Sequence, residues 1–384
     1  MYKELEKKLI EWRHELHQIP EPAFEEIKTS DFIAKRLEEM GYEVHRNIGK
    51  TGIVANLKAG TGTKIVGLRA DMDCIKIQEI SDIPYKSRHE NCMHACGHDG
   101  HVVTLLGAAY LLSANKDFNG TVRLIFQPAE EPGYGATAMI NDGLFEKFPI
   151  DEIYGLHNMP GLPEGTIYAK VGGIMASEDN FTIKIHGKGG HASAPNLVID
   201  PLVIAANIIL SLQTIVSRNS DPIDTAVVSC TEILTDGAHN AIPSNVTILG
   251  DTRSFNPEVQ KLIEKRMGEI TKSICEAYGA TWEFSYTHEF SPTINTQECY
   301  ENAVKAAKIA VGEKNVVENC RPLMSSEDFA KYLEKIPGCF VFLGGAKPDN
   351  AEIYSLHNHL YDYNDSNLIK GARYFEEIVK TVLK

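Results

Sequence analysis

The densest group of reactive side chains lies between residues 94 and 101, where the sequence reads His94-Ala-Cys96-Gly-His98-Asp-Gly-His101. Thiolate and imidazole are the usual protein ligands of borderline metal ions such as zinc. Cys96 and His98 can converge on one ion because Gly97 frees the backbone between them. We therefore predict that Cys96 and His98 bind metal, with a buried thiol beside surface histidines as the alternative. For His101 a hydrogen-bonded packing role is favoured.

Two aspartates end a predicted strand in the sequence Leu68-Arg69-Ala-Asp71-Met-Asp73. They lie two residues apart, so on an extended chain both side chains point to the same side. One of them could orient a ligand histidine from outside the metal's own ligand set. Equally, they could pair with Arg69 or cap a turn, and the sequence does not separate these readings.

Two adjacent glutamates follow the next predicted strand, in Gln127-Pro-Ala-Glu130-Glu131. Neighbouring residues on an extended backbone face opposite ways. The pair therefore suits two different functions, one carboxylate binding a metal ion and the other acting as a general base on water. Glu-Glu pairs are also common on surfaces, and that alternative would be favoured if the Cys-His cluster were absent.

A short sequence recurs: Ile153-Tyr-Gly-Leu-His157-Asn and Ile353-Tyr-Ser-Leu-His357-Asn agree at five of six positions. In each case an apolar run that is predicted as a strand ends at a histidine, and strand ends are where α/β sheets present functional groups. Coincidence between two core strands is the alternative. Together with Cys96, His98 and one glutamate, these histidines give more donors than the three protein ligands of a usual mononuclear catalytic zinc site. The set indicates two metal ions.

The composition is that of a globular protein. The chain has 384 residues, 43% of them hydrophobic, and a formal net charge of -14, which argues against a nucleic-acid partner. Its first residues lack the apolar region of a secretory signal, and its apolar runs are shorter than a bilayer span, so we expect a cytoplasmic protein without membrane contact. Eight scattered cysteines are expected to be reduced thiols, and Cys92 with Cys96 lacks the spacing of a redox pair.

Helical and extended segments alternate through the first part of the chain and again near its end. This pattern predicts an α/β domain, residues 1–177 and 291–384, with a mixed, largely parallel sheet and helices on both faces. Between them, residues 178–290 begin with the alternating run Phe181-Thr-Ile-Lys-Ile185. Such alternation is typical of a half-solvated strand, so we predict an inserted α+β satellite domain with an antiparallel sheet and an exposed edge.

These motifs, in this order over essentially the whole chain, resemble the hippurate hydrolase and auxin-conjugate hydrolase branch of the M20 metallopeptidases. Gly189-Gly-His191 and Ser326-Glu-Asp-Phe329 add to the resemblance. It implies a site for two divalent ions (Mn²⁺ or Zn²⁺, with Ni²⁺ or Co²⁺ as further candidates). The implied ligands are Cys96, His98, Glu131, His157 and His357. The broader family has His-x-Asp where this chain has Asp71-x-Asp73, and an aspartate where Cys96 is expected to bridge the metals.

The resemblance also implies an activity, the hydrolysis of the amide bond of N-acyl amino acids such as hippurate or N-acetyl amino acids. Glu130 would be the base, with Asp73 and His191 completing the catalytic set, and His191 would reach the other subunit's substrate in a homodimer or dimer-based tetramer. Asn240 and Arg253 would hold the substrate carboxylate. Deacetylation of N-acetyl-diaminopimelate is the alternative within the class, and a non-catalytic metal-binding protein is the alternative outside it.

Overall fold

The computed structural model describes residues 2–346 and 353–384. The chain divides into two compact units. The larger unit consists of Met1–Ile174, Ile294–Arg321 and Asp328–Lys384, and the smaller unit of Met175–Thr293 and Pro322–Glu327. The domain limits at residues 178 and 290 remain a prediction. They do not include the short segment Pro322–Glu327, which groups with the smaller unit.

The helices and strands are numbered in chain order. The helices are α1 (Tyr2–His17), α2 (Ile27–Glu39), α3 (His98–Ala114), α4 (Gly135–Asn141), α5 (Leu144–Lys147), α6 (Pro201–Thr214), α7 (Pro257–Tyr278), α8 (Gln297–Val311), α9 (Ala330–Leu333) and α10 (Leu368–Val382). The strands are β1 (Glu43–Ile48), β2 (Gly52–Ala59), β3 (Ile65–Asp71), β4 (Gly120–Gln127), β5 (Glu152–Pro163), β6 (Ile167–Tyr168), β7 (Gly172–Met175), β8 (Glu178–His186), β9 (Gly190–His191), β10 (Ala226–Thr235), β11 (Ala241–Ile242), β12 (Asn245–Ser254), β13 (Thr281–Phe290), β14 (Thr293–Asn295), β15 (Val316–Val317) and β16 (Gly338–Ala346).

The sheet of the larger unit has the strand order β1-β2-β4-β3-β5-β16-β6-β15. Its four central strands, β4, β3, β5 and β16, run parallel to one another. At the two sides β2 pairs antiparallel with β4, and β6 pairs antiparallel with β16. The central strands are nearly continuous apolar runs because both of their faces are covered. The predicted mixed, largely parallel sheet is confirmed.

Helices cover both faces of this sheet, but unequally. The long helices α1, α2, α3, α8 and α10 share one apolar core with alternate residues of the central strands, such as Leu68 and Leu124. On the other face lie the short helices α4 and α9, where the Tyr332 hydroxyl is 3.4 Å from the Met139 sulfur. There the Arg69 guanidinium is 5.8 Å from the centre of the Phe329 ring. Helix α3 is apolar on every side, as expected of a helix buried within a core.

The smaller unit is an antiparallel sheet covered by two helices. Its strand order is β10-β12-β8-β13, and every neighbouring pair is antiparallel. In β8 the buried residues alternate, and Ile183 and Ile185 pack with Ile208 of α6 and Ile263 of α7. Helix α7 begins after Asn256, whose side chain accepts the Glu258 N–H, and ends at Gly279 with φ 76°. This confirms the predicted antiparallel α+β unit.

Helix α6 continues through a turn of π-helix, residues 215–219, to give an apolar segment of 19 residues, Pro201–Asn219, with mean hydropathy 1.4. By length and composition this helix of the described residues could cross a membrane, whereas the apolar runs of the sequence were expected to be shorter than a bilayer span. Core helices of soluble proteins meet the same two conditions, so the finding is weak support for a membrane span. One third of the segment is buried within the protein.

Two predicted elements are wrong. The alternating helical and extended segments near the end of the chain include a predicted helix from Ser326 to Ile336. In the structure it is reduced to Ala330–Leu333, because Asp328 directs its carboxylate to Arg69 and Gln127. The predicted strand before His357 is absent: residues 353–355 have no regular structure, residues 356–357 form a turn, and His357 has φ 65°. At the other copy of the repeat, β5 runs past His157 to Pro163 instead of ending there.

Candidate metal centre

The candidate site lies at the carboxyl ends of the parallel strands. Strands β4, β3 and β5 are neighbours in the sheet; the Glu130 loop follows β4, the Asp71–Asp73 segment begins at the end of β3, and His157 lies within β5. Ligand sites in open α/β sheets form at this edge. Helix α3 begins at His98 after Gly97, which has φ 88° and whose Cβ, if added, would lie 2.6 Å from Asn158 Oδ1. Glycine at residue 97 therefore allows Cys96 and His98 to face the same point.

One group of donors consists of Cys96, His98 and His157, all buried, with their ligand atoms within 4.8 Å of one another. The Cys96 sulfur lies 3.4 Å from His157 Nε2. The opposite nitrogen of each histidine is held by a backbone carbonyl: His98 Nδ1 is 3.0 Å from Asp73 O, and His157 Nδ1 is 2.7 Å from Asn158 O. Such bonds fix the tautomer that leaves Nε2 as the ligand atom.

A second group consists of Cys96, Glu131 and His357, again within 4.8 Å of one another. His357 Nε2 lies 3.5 Å from Glu131 Oε2, and the His357 side chain is 57% exposed, unlike the other four donors. The positive φ of His357 turns its side chain back to the site from an irregular segment. Because Cys96 belongs to both groups, the arrangement can hold two ions bridged by one thiolate.

The polar atoms of these groups have the pattern expected of metal ligands. Within residues 2–346 and 353–384, His98 Nε2 and Glu131 Oε1 are buried without a hydrogen-bond partner. Burial and the nearby Glu131 and Glu130 carboxylates raise the pKa of the Cys96 thiol, which alone would keep it protonated. Burial also raises the pKa of Glu131 to about 7. Bound cations would reverse both effects, so the residues fit a dinuclear metal site.

Both aspartates lie near His98, so the two readings of the sequence do not exclude each other. Asp73 Oδ1 is 3.3 Å from His98 Nδ1. Asp71 Oδ2 is 3.8 Å from His98 Nε2 and also accepts a hydrogen bond from Arg69 at 2.8 Å. Burial alone would lower the pKa of His98, but Asp71 and Asp73 outweigh that effect and raise it to about 10. His98 is thus surrounded by negative charge that favours a cation at its position.

Glu130 is buried beside the donor groups, and its Oε2 lies 4.0 Å from His98 Nε2. Unlike Glu131, it shares no donor group with Cys96. The two glutamates lie in a turn, where the Gly133 N–H bonds the Glu130 carbonyl at 2.7 Å, and not on extended backbone as expected. Both carboxylates nevertheless face His98 Nε2, at 4.0 Å for Glu130 and 3.8 Å for Glu131, and the three residues form a donor group of their own. What separates the two is that only Glu131 is also grouped with Cys96, which suits one ligand and one neighbouring base.

His101, for which a packing role was favoured, is buried and hydrogen-bonded at both ring nitrogens. Its Nδ1 lies 2.6 Å from Asp71 Oδ1, and the Asn158 N–H donates to its Nε2 at 3.1 Å. The Asn158 side chain in turn donates to the Tyr361 hydroxyl. Because Asn158 follows His157, this chain of bonds connects the first turn of α3 to the strand that carries a candidate ligand.

The remaining predicted residues, His191, Asn240 and Arg253, lie on the smaller unit. His191 is on β9, which pairs with β11, and the Asn240 carbonyl accepts the Ala192 N–H at 3.0 Å. The Arg253 guanidinium already contacts Glu178 at 2.9 Å and Asp251 at 3.0 Å. A substrate carboxylate at Arg253 would therefore have to compete with two protein carboxylates. The roles of these three residues remain predictions.

The sequence analysis missed Glu26, which is buried and bonds the N–H of Ala129 at 2.9 Å. It lies 103 residues before Ala129 in a segment that contains two other glutamates, Glu21 and Glu25. No local pattern distinguishes it from these neighbours. Asn158 was also given no role, and only the histidine of the repeated Leu-His-Asn motif was assigned. The repetition of Asn158 at Asn358 was a signal that could have identified it.

Comparison with known proteins gives consistent results. Residues 67–381 match the model of peptidase family M20/M25/M40. A hippurate hydrolase from Campylobacter jejuni is 44% identical over 372 residues, covering 97% of this chain and 96% of the relative. An N-acetyl-L-cysteine deacetylase from Bacillus subtilis is 39% identical over 380 residues, covering 99% and 89%.

A solved structure is also similar along the whole chain. It is a dinuclear metal-binding M20 peptidase from Bacillus subtilis, 34% identical, with a TM-score of 0.86 and coverage of 99% of both chains. A similarity of this extent includes both the larger and the smaller unit. The candidate metal centre described above therefore lies in a fold that another protein uses to bind two metals.

Proposed function

This chain belongs to peptidase family M20/M25/M40, and on that basis we propose that it is a metal-dependent amidohydrolase of N-acyl amino acids. Two relatives of similar length are named for the hydrolysis of hippurate and of N-acetyl-L-cysteine, both of which are N-acylated amino acids. The observation that carries the proposal is the pair of donor groups that share Cys96, with Glu130 beside them. A storage site would have no use for a further buried carboxylate next to the ions.

We assign Cys96, His98 and His157 to one ion and Cys96, Glu131 and His357 to the other. Thiolate and imidazole ligands favour Zn²⁺ over Mg²⁺ or Ca²⁺, the Glu131 carboxylate also suits Mn²⁺, and Ni²⁺ or Co²⁺ are compatible with this donor set. When bound, the two ions would supply Lewis-acid chemistry, polarising a substrate carbonyl and lowering the pKa of water. The choice among these metals depends on supply as well as on ligands.

The chain's own residues carry the proton transfers. The Glu130 carboxylate takes a proton from the attacking water as the new C–O bond forms at the amide carbon. It then gives that proton to the leaving nitrogen as the C–N bond breaks, so that one water and one amide yield a carboxylic acid and an amine. Asp73 keeps His98 oriented through contacts to Nδ1. His191 is assigned to hydrogen-bond the substrate carbonyl oxygen.

Substrate selection is assigned to residues of the smaller unit. Arg253 offers a fork of donors suited to the α-carboxylate of an amino acid, and Asn240 offers a side-chain amide. Arg253 contacts Glu178 and Asp251 in the structure. Binding of a substrate would therefore replace at least one of these contacts with a contact to the substrate carboxylate. Replacing Arg253 by Ala is expected to raise KM more than it lowers kcat.

We also propose that the enzyme is a homodimer formed through the smaller unit. Helix α6 exposes Leu202, Val203 and Leu210, the last of them 72% exposed, and the edge strand β10 exposes Ile233 and Leu234. An apolar helix beside an unpaired sheet edge suits a second copy, which would cover both. Leu210→Glu should convert a dimer to a monomer in sedimentation experiments, whereas Ile80→Glu on the larger unit should not.

A cytoplasmic location completes the proposal. All eight cysteines are free thiols in the structure, which supports a reducing compartment. The test of the activity is a substrate panel: hippurate, N-acetyl-L-cysteine, other N-acetyl amino acids and N-acetyl-diaminopimelate, with amine release as the signal. Metal-dependent release from at least one of the first three classes is expected. Hydrolysis of N-acetyl-diaminopimelate alone would move the proposal to that deacetylase activity, and no release at all would refute it.

A further inference from the structure

We propose that Glu26 is a positioning residue for the Glu130 carboxylate, an inference that rests on the proposed role of Glu130 as the base. Glu26 lies just before α2, and its side chain is buried. One carboxylate oxygen accepts the Ala129 N–H at 2.9 Å, and the other accepts the Thr51 hydroxyl at 2.5 Å. It thus connects the start of α2 and the start of β2 to the loop that carries Glu130.

The Glu26 side chain takes no part in capping its own helix. An oxygen-bearing side chain at this position commonly accepts an N–H of the first helical turn, but Glu26 makes no such bond. Glu21 caps the first turn of α2 instead: its Oε2 accepts the Thr29 N–H at 2.9 Å and the Thr29 hydroxyl at 3.1 Å. The Glu26 carboxylate is therefore directed away from α2 and toward the Ala129 loop.

Three consecutive N–H groups of that loop bond to two carboxylates. The Ala129 N–H bonds to Glu26, and the Glu130 and Glu131 N–H groups bond to the two oxygens of Asp73, each at 3.1 Å. Ala129 has φ 50°, a left-handed conformation that is unfavourable for a residue with a Cβ. The bond to Glu26 stabilises this conformation and so fixes the direction in which the chain enters Glu130.

Because Glu26 is buried beneath the loop, it is not placed to touch a substrate at the metal centre. Its effect would be on the position of the Glu130 carboxylate, and misplacing a reacting group by about 1 Å can reduce a rate by about a hundredfold. Loss of the Ala129 bond should therefore lower kcat and leave KM nearly unchanged. The position of Glu131 would shift as well, so the comparison needs metal in excess.

Two substitutions separate hydrogen-bond reach from charge and volume. Glu26→Gln keeps an acceptor for Ala129 and offers its amide to the Thr51 hydroxyl, whereas Glu26→Asp keeps the charge but is one methylene too short. The matched controls are Glu25→Gln and Glu25→Asp, because Glu25 is adjacent and its side chain is 67% exposed. Measurements are kcat, KM and bound metal, together with deuterium exchange of peptides covering residues 127–134.

We expect the Gln variant to keep kcat within about threefold of the original enzyme, and the Asp variant to lose about tenfold or more with KM unchanged and faster exchange at residues 129–131. Equal kcat in both variants, whether retained or lost, overturns the inference. If Glu130→Gln keeps full activity, the proposed function fails instead. Should the Asp variant not fold, Thr51→Val takes its place: lowered kcat and faster exchange support the inference, and unchanged values overturn it.

Discussion

The carboxylate of Asp73 accepts the backbone N–H of Glu130 at 3.1 Å and lies beside His98, so one side chain contacts a candidate metal ligand and holds the backbone of the candidate base. Asp73 follows β3, and Glu130 lies in the loop after β4, the neighbouring parallel strand. One side chain thereby couples the position of His98 to that of Glu130. We therefore expect metal binding and base catalysis to depend on the same short turn, the one that contains Glu130 and Glu131.

The two glutamates should respond differently to the same substitution. Glu130→Gln should keep bound metal but lose about a hundredfold or more in kcat, the usual contribution of a general base. Glu131→Gln should lower metal content, because Glu131 is grouped with Cys96 and His357. Elemental analysis and kinetics on both variants provide the check. Equal metal loss in the two variants would remove the distinction between base and ligand.

Cys96→Ala should reduce bound metal at both positions, because the Cys96 sulfur belongs to both donor groups. Cys230→Ala is the control, since Cys230 lies on β10 of the smaller unit. Metal content after dialysis against a weak chelator measures the difference. Full metal content in the Cys96 variant would make this residue a core thiol.

Glu26→Gln should stabilise the metal-free protein at high pH. Burial, with a contribution from Asp73, raises the pKa of Glu26 to about 7 from an ordinary value of 4.5. A carboxyl with a raised pKa in the folded state destabilises the fold once it ionises, so the loss begins above pH 4.5 and is complete above about pH 7. Glutamine cannot ionise and escapes this loss.

The expected gain in unfolding free energy for Glu26→Gln is about 2 to 3 kcal/mol larger at pH 8 than at pH 4.5. Urea unfolding of the metal-free protein at the two pH values measures it. Glu25→Gln, at an exposed neighbouring position, should show no such pH dependence. A gain of the same size at both pH values would mean that burial does not raise the pKa of the Glu26 carboxyl.

His191 and Glu130 should complement each other between chains if each site uses both subunits. Glu130→Ala and His191→Ala homodimers should both be nearly inactive. An isolated heterodimer of the two has one site lacking both groups and one site lacking neither, so about half of the original activity should return. A heterodimer as inactive as its parents would place His191 in the site of its own chain.

The sequence predicted much of this fold because its patterns are local. The alternation of buried residues in β8 depends on neighbouring residues alone, and it appears as expected. The predicted helix around Phe329 failed because a distant contact, Arg69 with Asp328, competes with helix formation. The strand predicted before His357 is wrong. Residues 353–358 have the same apolar pattern as residues 153–158 of β5, but they do not form a strand.

The five donor residues predicted from residue type and spacing are brought together by the fold, and they remain the proposed metal ligands. The supporting residue Glu26 was not predictable in this way. Glu26 contacts Ala129 across 103 residues of sequence, and only the fold brings them together. The extended backbone predicted for Glu130 and Glu131 is wrong, because the two lie in a turn whose N–H groups bond to Asp73 and Glu26.

The central claim is that this chain hydrolyses N-acyl amino acids with two metal ions per subunit. The most direct test is to add Zn²⁺ or Mn²⁺ stepwise to metal-free protein while measuring bound metal and hydrolysis of hippurate and N-acetyl-L-cysteine in the same samples. The account predicts that hydrolysis rises and levels off at about two bound ions per chain, since two donor groups share Cys96. Two bound ions without hydrolysis of either substrate, or full activity in the absence of bound metal, would contradict it.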